Sequence, residues 1–327
     1  MAATTAPKPV HPIDLQEIRE ARVRIAGSIV RTPLVRLELG PDAPDIRLKL
    51  ENLQPIGAYK LRGAVNAVGL LSAAERRLGV WTISSGNAGQ GIAWAAKQAG
   101  VPCTVVALDT AAKAKLERMH SLGARVITVS MEVGLKALEA REFAGVEGTF
   151  IHPFDDHHFI AGHATMGLEI LEDAPDTTAV IAGIGGGGLI TAVGSAMRAL
   201  AAGVKVWGVE PETAAPAALS LARGSPQVFE KWQASFVDSV GLPRVFPRMW
   251  ERMRPVLDGC LVVTLEETRQ AMRTLAEKAR VIAEPSGAVS VAAALSGKAG
   301  RGPIVAIVSG GNVDLEKYCQ LVCSPPA

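Results

Sequence analysis

Short apolar runs alternate with longer stretches of helical spacing along almost the whole chain. Ile46 to Glu51, Gly79 to Ile83, Pro102 to Leu108, Ala124 to Val129 and Thr149 to His152 read as strands. Thr178 to Ala182, Lys205 to Glu210 and Pro303 to Val308 do the same. All are brief and rich in β-branched residues, which suits strands covered on both faces. Between them, Asn87 to Gln98, Ala111 to Leu122, Met131 to Ala144 and Ala161 to Glu172 read as helices, and an Ala-rich helix follows the glycine run at 185–188. Asp14 to Ile29 is a further helix, with Asp14 as its N-cap and Glu17 three residues on. Strand–helix–strand repetition at this spacing predicts an α/β protein with parallel sheets and helices on both faces. The run 82–155 is self-contained and is expected as a smaller domain, inserted into a larger one formed by 1–81 and 156–327.

Composition narrows the function classes. With 327 residues, 48% hydrophobic and 20% charged, the chain can bury a large core. Its 34 Lys and Arg against 32 Asp and Glu leave a charge of +2, and aromatics are only 4%. That is not the footprint of a nucleic-acid binder. No apolar run is long enough to span a membrane. Met1 to Val10 lacks the apolar core of a signal peptide and reads as a frayed tail, so a cytoplasmic location is expected. The four cysteines, Cys103, Cys260, Cys319 and Cys323, form no Cys-x-x-Cys pair and read as reduced thiols.

Four loops carry candidate chemistry. Glu51-Asn52-Leu53-Gln54-Pro55-Ile56-Gly57-Ala58-Tyr59-Lys60-Leu61-Arg62-Gly63-Ala64 puts a lysine at a helix mouth after a Pro/Gly turn. The positive end of a helix lowers a lysine pKa, which favours attack on an aldehyde. The plain alternative is an exposed helix start with solvated Lys60 and Arg62. Gly185-Gly186-Gly187-Gly188-Leu189 follows an apolar strand and opens a helix, a place where bare amides can cup a phosphate. A dinucleotide site would want a Gly-x-Gly-x-x-Gly start and an acidic ribose ligand, so a monophosphate fits better; a flexible turn is the alternative. Ser84-Ser85-Gly86-Asn87-Ala88-Gly89 offers hydroxyls, an amide and free N–H groups suited to a carboxylate or phenolic oxygen. Alone it would read as an N-cap turn. Ser309-Gly310-Gly311-Asn312 follows the last strand and alone would read as a tight turn.

In this order the four loops resemble the fold-type II pyridoxal-phosphate enzymes, the group of tryptophan synthase β-like fold, and within it the threonine/serine dehydratases and serine racemases. The likeness runs from about Asp14 to Leu321. Its strongest motif is Lys-x-Glu-x-x-Gln-x-x-Gly-Ser-Phe-Lys-x-Arg-Gly-Ala, matched here by Lys49, Glu51, Gln54, Gly57, Lys60, Arg62, Gly63 and Ala64. The resemblance implies pyridoxal 5'-phosphate held covalently by Lys60, its phosphate cradled by Gly185, Gly186, Gly187, Gly188 and Leu189. It implies Asn87 on the ring oxygen, Tyr59 packed near the ring, and Glu284 beside it. Ser309 would face the pyridine nitrogen, with Gly310 and Asn312 shaping that end. Ser84, Ser85, Ala88 and Gly89 would surround the substrate carboxylate. The implied reaction is loss of the β-hydroxyl and then ammonia from a β-hydroxy-α-amino acid, with Lys60 as the Cα base and the cofactor phosphate as proton donor. Ser85 aligns with the second base of the racemases, so racemase and β-replacement synthase are the alternatives on this fold.

Departures from the family pattern sharpen the expectation. Ala58, Ala88 and Gly162-His163-Ala164-Thr165 stand where relatives carry Ser, His and Gly-Gln-Gly-Thr. Two polar side chains shortened to methyls predict a wider, more apolar pocket, able to take a substrate such as phenylserine. Relatives often bind a divalent cation near the position of Glu210, but Pro216 replaces the expected aspartate, so no strong metal site is expected, with Glu212 as partial compensation. The cluster His152, Asp155, Asp156, His157, His158 and His163 has no helical ligand spacing and reads as a polar loop. The short stretch after Ser309 leaves no room for a regulatory domain. A homodimeric, unregulated catabolic enzyme is therefore expected, with a small amino acid as its partner and neither nucleic acid nor membrane.

Overall fold

The computed structural model describes residues 9–323; most of the expected tail at Met1 to Val10 lies outside the described residues. The strands are β1 (Leu34–Arg36), β2 (Ile46–Lys49), β3 (Val80–Ile83), β4 (Cys103–Leu108), β5 (Arg125–Val129), β6 (Thr149–Phe150), β7 (Ala179–Gly183), β8 (Lys205–Pro211), β9 (Gly259–Val263) and β10 (Ile304–Ile307). They form two sheets. A six-stranded sheet runs β1-β2-β10-β7-β8-β9 and a four-stranded one runs β5-β4-β3-β6. Every pairing is parallel except β1 with β2. The smaller sheet begins at Val80, so a boundary drawn between residues 81 and 82 passes through β3.

The period of two in the strands decides what each face buries. In β10, Val305 and Ile307 join a cluster with Ile160, Ile190 and Val193 of helices His157–Asp173 and Gly188–Leu200. Ile304 and Ala306 point the other way, onto Val289, Val291 and Ala292 of helix Pro285–Leu295. β7 splits in the same manner, Val180 and Ala182 on one face and Ala179 and Ile181 on the other. Both faces are covered, which is why these strands read as unbroken apolar runs. The smaller sheet repeats the scheme, with Val80 and Val105 on one face and Trp81, Ile83 and Val106 on the other.

The sheets are joined through helix Lys60–Gly69, which packs on helix Asn87–Ala99 and on helix His157–Asp173. Two glycines let it approach the latter. A Cβ on Gly162 would sit 2.5 Å from the Arg62 carbonyl, and one on Gly63 would sit 2.4 Å from the Phe159 carbonyl. The first helix is Leu15–Ile25, with the Asp14–Glu17 capping box in place but ending four residues before the sequence pattern does. Among the described residues no helix is long and apolar enough to cross a membrane.

Candidate active site

The glycine turn after β7, the serine loop after β3 and the turn after β10 all leave the carboxyl ends of parallel strands, the usual crevice for ligands in such sheets. Lys60 is the first residue of helix Lys60–Gly69. It is half-buried, and its Nζ donates to the Pro153 carbonyl at 2.6 Å. The amine lies 5.2 Å from the Tyr59 ring centre and 5.3 Å from that of Phe159. No carboxylate pairs with it among the described ion pairs. Burial pushes its pKa down to about 7, so near neutrality a large share is the free amine that a Schiff base requires.

Arg62, two residues on, is fully buried yet fully paired. Its guanidinium meets Glu51 at 2.8 Å and Glu169 at 2.7 Å. Lys49 Nζ adds a 2.6 Å contact to Glu169, and Gln54 donates to Glu51. Thr32 donates to Glu51 as well. Two cations and two carboxylates balance in this network. Four of the charged and amide residues in the sequence motif are thus a scaffold for the helix start, not chemistry.

Pro153 and Phe154 connect Lys60 to the glycine turn. A Cβ on Gly186 would lie 2.2 Å from the Phe154 ring, and one on Gly188 would lie 3.0 Å from the Phe154 carbonyl. A Cβ on Gly185 would meet the Ser239 carbonyl at 2.3 Å. Gly187 has φ +89° and caps helix Gly188–Leu200, and Leu189 beside it is buried in the core. The turn therefore admits no side chain, and it lies at a helix N-terminus, where an anion is favoured.

The remaining loops converge on one hydrogen-bonded cluster. Asn87 Nδ2 donates to Glu284 at 2.7 Å, and Asn312 Nδ2 donates to Asn87 Oδ1 at 2.8 Å. Gly310 lies against them, since its Cβ would fall 2.2 Å from Glu284 Oε1. Burial, then repulsion from Asp238, raises the Glu284 pKa to about 7. Tyr59 N donates to the Ser309 carbonyl at 3.0 Å, which ties the lysine turn to this cluster. Ser309 is buried, its hydroxyl 3.5 Å from the Ser286 carbonyl. Burial and Glu284 raise the Tyr59 pKa.

Ser84 and Ser85 follow β3 and are half-buried. Ser84 Oγ accepts from the Gly86 amide at 3.2 Å and Ser85 Oγ from the Leu108 amide at 2.7 Å. Gly89 packs under them, its Cβ position 2.7 Å from the Ser84 carbonyl. Ala88 is nearly fully buried, and Ala58 is wholly buried against Ile56 and Leu61.

The residues present fit pyridoxal phosphate. A free amine, a glycine cup at a helix N-terminus, an amide at Asn87 and a hydroxyl at Ser309 are the donors that such a group would engage. The comparison with known proteins decides the matter. Residues 25–310 match the family described as pyridoxal-phosphate dependent enzyme. The chain belongs to that family. Its cofactor is pyridoxal phosphate. An L-threonine ammonia-lyase of Thermotoga maritima is 38% identical over 316 residues, covering 95% of this chain and 78% of that protein. A catabolic L-threonine dehydratase of Staphylococcus aureus is 34% identical, covering 95% and 92%. Among solved structures, maize serine racemase matches with a TM-score of 0.86 at 32% identity, covering 95% of this chain and 97% of that one. A threonine deaminase of T.th. matches at 0.80 and 35%, covering 92% and 99%. The fold-type II assignment agrees with these neighbours.

Three contacts in this pyridoxal-phosphate enzyme escape sequence reasoning. Pro153, which holds the lysine, and Phe154, which walls the glycine turn, lie inside a segment that reads as a polar loop. Their partners lie far away in sequence, and no local spacing signals them. His163 is the third. It is fully buried between the Tyr59 and Phe159 rings, each with its centre 4.6 Å away. Its Nδ1 accepts from the Gly63 amide at 3.1 Å, while Nε2 has no partner among the described residues. Burial, with the charges of Lys60 and Arg62, drives its pKa well below the usual value, so the ring is neutral and Nε2 carries the proton. The departure from Gly-Gln-Gly-Thr flags this position, but not its contact with the lysine turn.

The other polar candidates are held by protein groups. Glu210 accepts from the Ala217 and Ala218 amides at 2.9 Å each, and burial raises its pKa to about 7. Glu212 accepts from the Leu265 amide at 2.9 Å. His152 Nδ1 accepts from the Asp155 amide at 3.0 Å, Asp156 caps helix His157–Asp173, and His157 pairs with Glu17 at 2.6 Å.

Proposed function

We propose that the protein is a pyridoxal-phosphate dependent lyase that removes water and then ammonia from a β-hydroxy-α-amino acid of the threonine or serine type. The carrying observation is Lys60: a desolvated amine with no carboxylate partner among the described residues, joined through Pro153 and Phe154 to a turn of four glycines. The relatives named threonine ammonia-lyase and threonine dehydratase support the choice of reaction. When bound, the cofactor supplies a carbonyl for the substrate amine and a ring that withdraws electrons from Cα.

This chain's residues would divide the remaining work. Lys60 would hold the cofactor through its ε-amine and, as a free amine, would take the substrate's Cα proton. The amides of Gly185, Gly186, Gly187, Gly188 and Leu189 bind its phosphate. Asn87, kept in place by Glu284 and Asn312, donates to the ring oxygen, and Tyr59 packs beside it. Ser309 gives the ring nitrogen a hydroxyl in place of a carboxylate, with Gly310 leaving room for it. A neutral partner there shortens the life of charge at Cα and favours prompt departure of the β-hydroxyl. Ser84, Ser85, Ala88 and Gly89 receive the substrate carboxylate. The smaller domain, expected at 82–155 and starting with β3 at Val80, serves as a lobe over the larger one, and the enzyme works as a cytoplasmic homodimer.

The substrate preference extends to bulky β-substituents such as phenyl. The shortened side chain at Ala88, beside the serine loop at the start of helix Asn87–Ala99, supports that extension although Ala88 is itself nearly buried; Ala58, sealed in the core, does not. Racemisation through Ser85 is the second reading, supported by the likeness to maize serine racemase; Ser85 Oγ accepts from the Leu108 amide, which leaves its proton and one lone pair for chemistry.

Ammonia and 2-oxo acid release over serine, threonine and phenylserine tests the assignment, with chiral analysis of unreacted substrate. The expected result is oxo-acid formation that Lys60→Ala abolishes. Inversion without ammonia would establish the racemase instead. A clear preference for serine would remove the extension to bulky substrates.

A further inference from the structure

A second constellation lies behind the wall that Phe154 forms. Arg141 follows helix Met131–Ala140, while Arg248 and Arg252 lie on helix Pro247–Met253. All three converge on the buried carboxylate of Asp155. Arg248 Nε reaches it at 2.8 Å and Arg252 Nε at 3.0 Å, and Arg141 Nη2 closes the third contact. Three guanidinium charges thus share one carboxylate, an excess of two. Asp156, next along, spends Oδ1 on the Phe159 amide; counting it as fully charged still leaves an excess of one. The nearby Arg244–Glu139 pair cancels itself.

This excess borders a cavity of about 230 Å³, lined by Arg141, Arg248, His152, Phe154 and Phe246 among others. That is several times the roughly 30 Å³ of a water molecule. Arg248 gives Asp155 only its Nε, and Arg141 gives it only Nη2, so the rest of both forks is left for another partner. Their side chains are 29% and 16% exposed, so both are only partly open to solvent, and both line the cavity. Arg141 also holds a left-handed backbone conformation at φ +58°, which a residue with a side chain adopts only at a cost. His152 is kept neutral by burial and Arg141 and adds no charge of its own.

We propose that this cavity is a binding site for a small oxyanion of the phosphate type, clasped by the free edges of Arg141 and Arg248. Partly buried guanidinium groups without a counter-charge are costly, and planar forks match tetrahedral oxyanions. Arg141 comes from a helix packed on the smaller sheet and Arg248 from one packed with the larger, so the anion bridges the two sides.

Calorimetric titration of the cofactor-loaded enzyme with inorganic phosphate, at constant ionic strength in chloride, tests this. The cofactor's own phosphate position is then filled and does not compete. The expected result is saturable binding near one per chain, competed by sulfate, and weakened about tenfold or more by Arg248→Gln. Arg36→Gln, on an exposed strand end, should leave it unchanged. Arg248→Gln keeps Asp155 paired with two arginines, so its melting temperature and cofactor absorbance should stay close to the parent values. If it fails to fold, Arg141→Lys replaces it and should weaken binding in the same sense. Absence of saturable binding to the parent enzyme, or binding that neither variant weakens, overturns the proposal.

Discussion

Lys60 and Arg62 share one helical turn and are both drawn away from water, yet their surroundings oppose each other. Arg62 has two carboxylates, a neighbouring lysine to complete the balance, and zero exposure. Lys60 has one backbone carbonyl and two aromatic faces. Buried charge with matched partners keeps its charge and fixes the backbone. Buried charge without them gives up its proton and becomes a nucleophile. Two residues apart, the same physics builds a scaffold and a reactive group, and the first positions the second.

The largest way to break that comparison is to remove the scaffold cation. Arg62→Met leaves Glu51 and Glu169 facing Lys49 alone. Urea unfolding of the cofactor-free protein should show a loss of about 3–5 kcal/mol. A loss under about 1 kcal/mol would mean that the network does not carry the helix start.

A smaller effect concerns protonation. The rate at which cofactor-free protein takes up pyridoxal phosphate should rise about tenfold per pH unit below 7 and level off above it, because only the neutral amine reacts. Glu284 also titrates near 7. Glu284→Gln cannot titrate, and it should keep the slope if Lys60 is its source. Stopped-flow absorbance resolves both.

A further effect has the opposite sign to the first. The Lys60 pKa in the folded state, about 7, lies below its ordinary value of 10.5. The folded protein therefore binds that proton less well than the unfolded chain. The resulting penalty is absent above pH 10.5, grows as pH falls, and is complete below 7. Lys60→Met should remove it, stabilising the cofactor-free protein at about pH 6 by up to about 5 kcal/mol, the free-energy equivalent of that shift, and leaving it unchanged at about pH 11. Destabilisation at the lower pH would show that the amine is paired after all.

Much of this is legible in the chain because it is local. The runs around Val180 and Val305 announce parallel strands, and Asp14 with Glu17 announces a cap. The glycine run at 185 announces a turn into a helix that leaves no room for side chains. The motif around Lys60 can be matched residue by residue, but the matching does not say that Lys49, Glu51 and Arg62 are structural while Lys60 is not. That distinction depends on Glu169, more than a hundred residues away. Strands β1 and β9 escape the pattern: both lie at the sheet edges and are partly exposed, where apolar alternation fades, and β1 is only three residues long. Arg141, Arg248 and Arg252 look like ordinary surface charges in the sequence, because only folding brings them to one aspartate.

The central claim is that Lys60, and no other amine, carries the cofactor. Borohydride reduction of the loaded enzyme followed by peptide mass mapping tests it directly. The account predicts a pyridoxyl group on the peptide containing Tyr59-Lys60-Leu61, absent from Lys60→Ala. A group found on Lys49, Lys115 or any other lysine, with Lys60 unmodified, would contradict it.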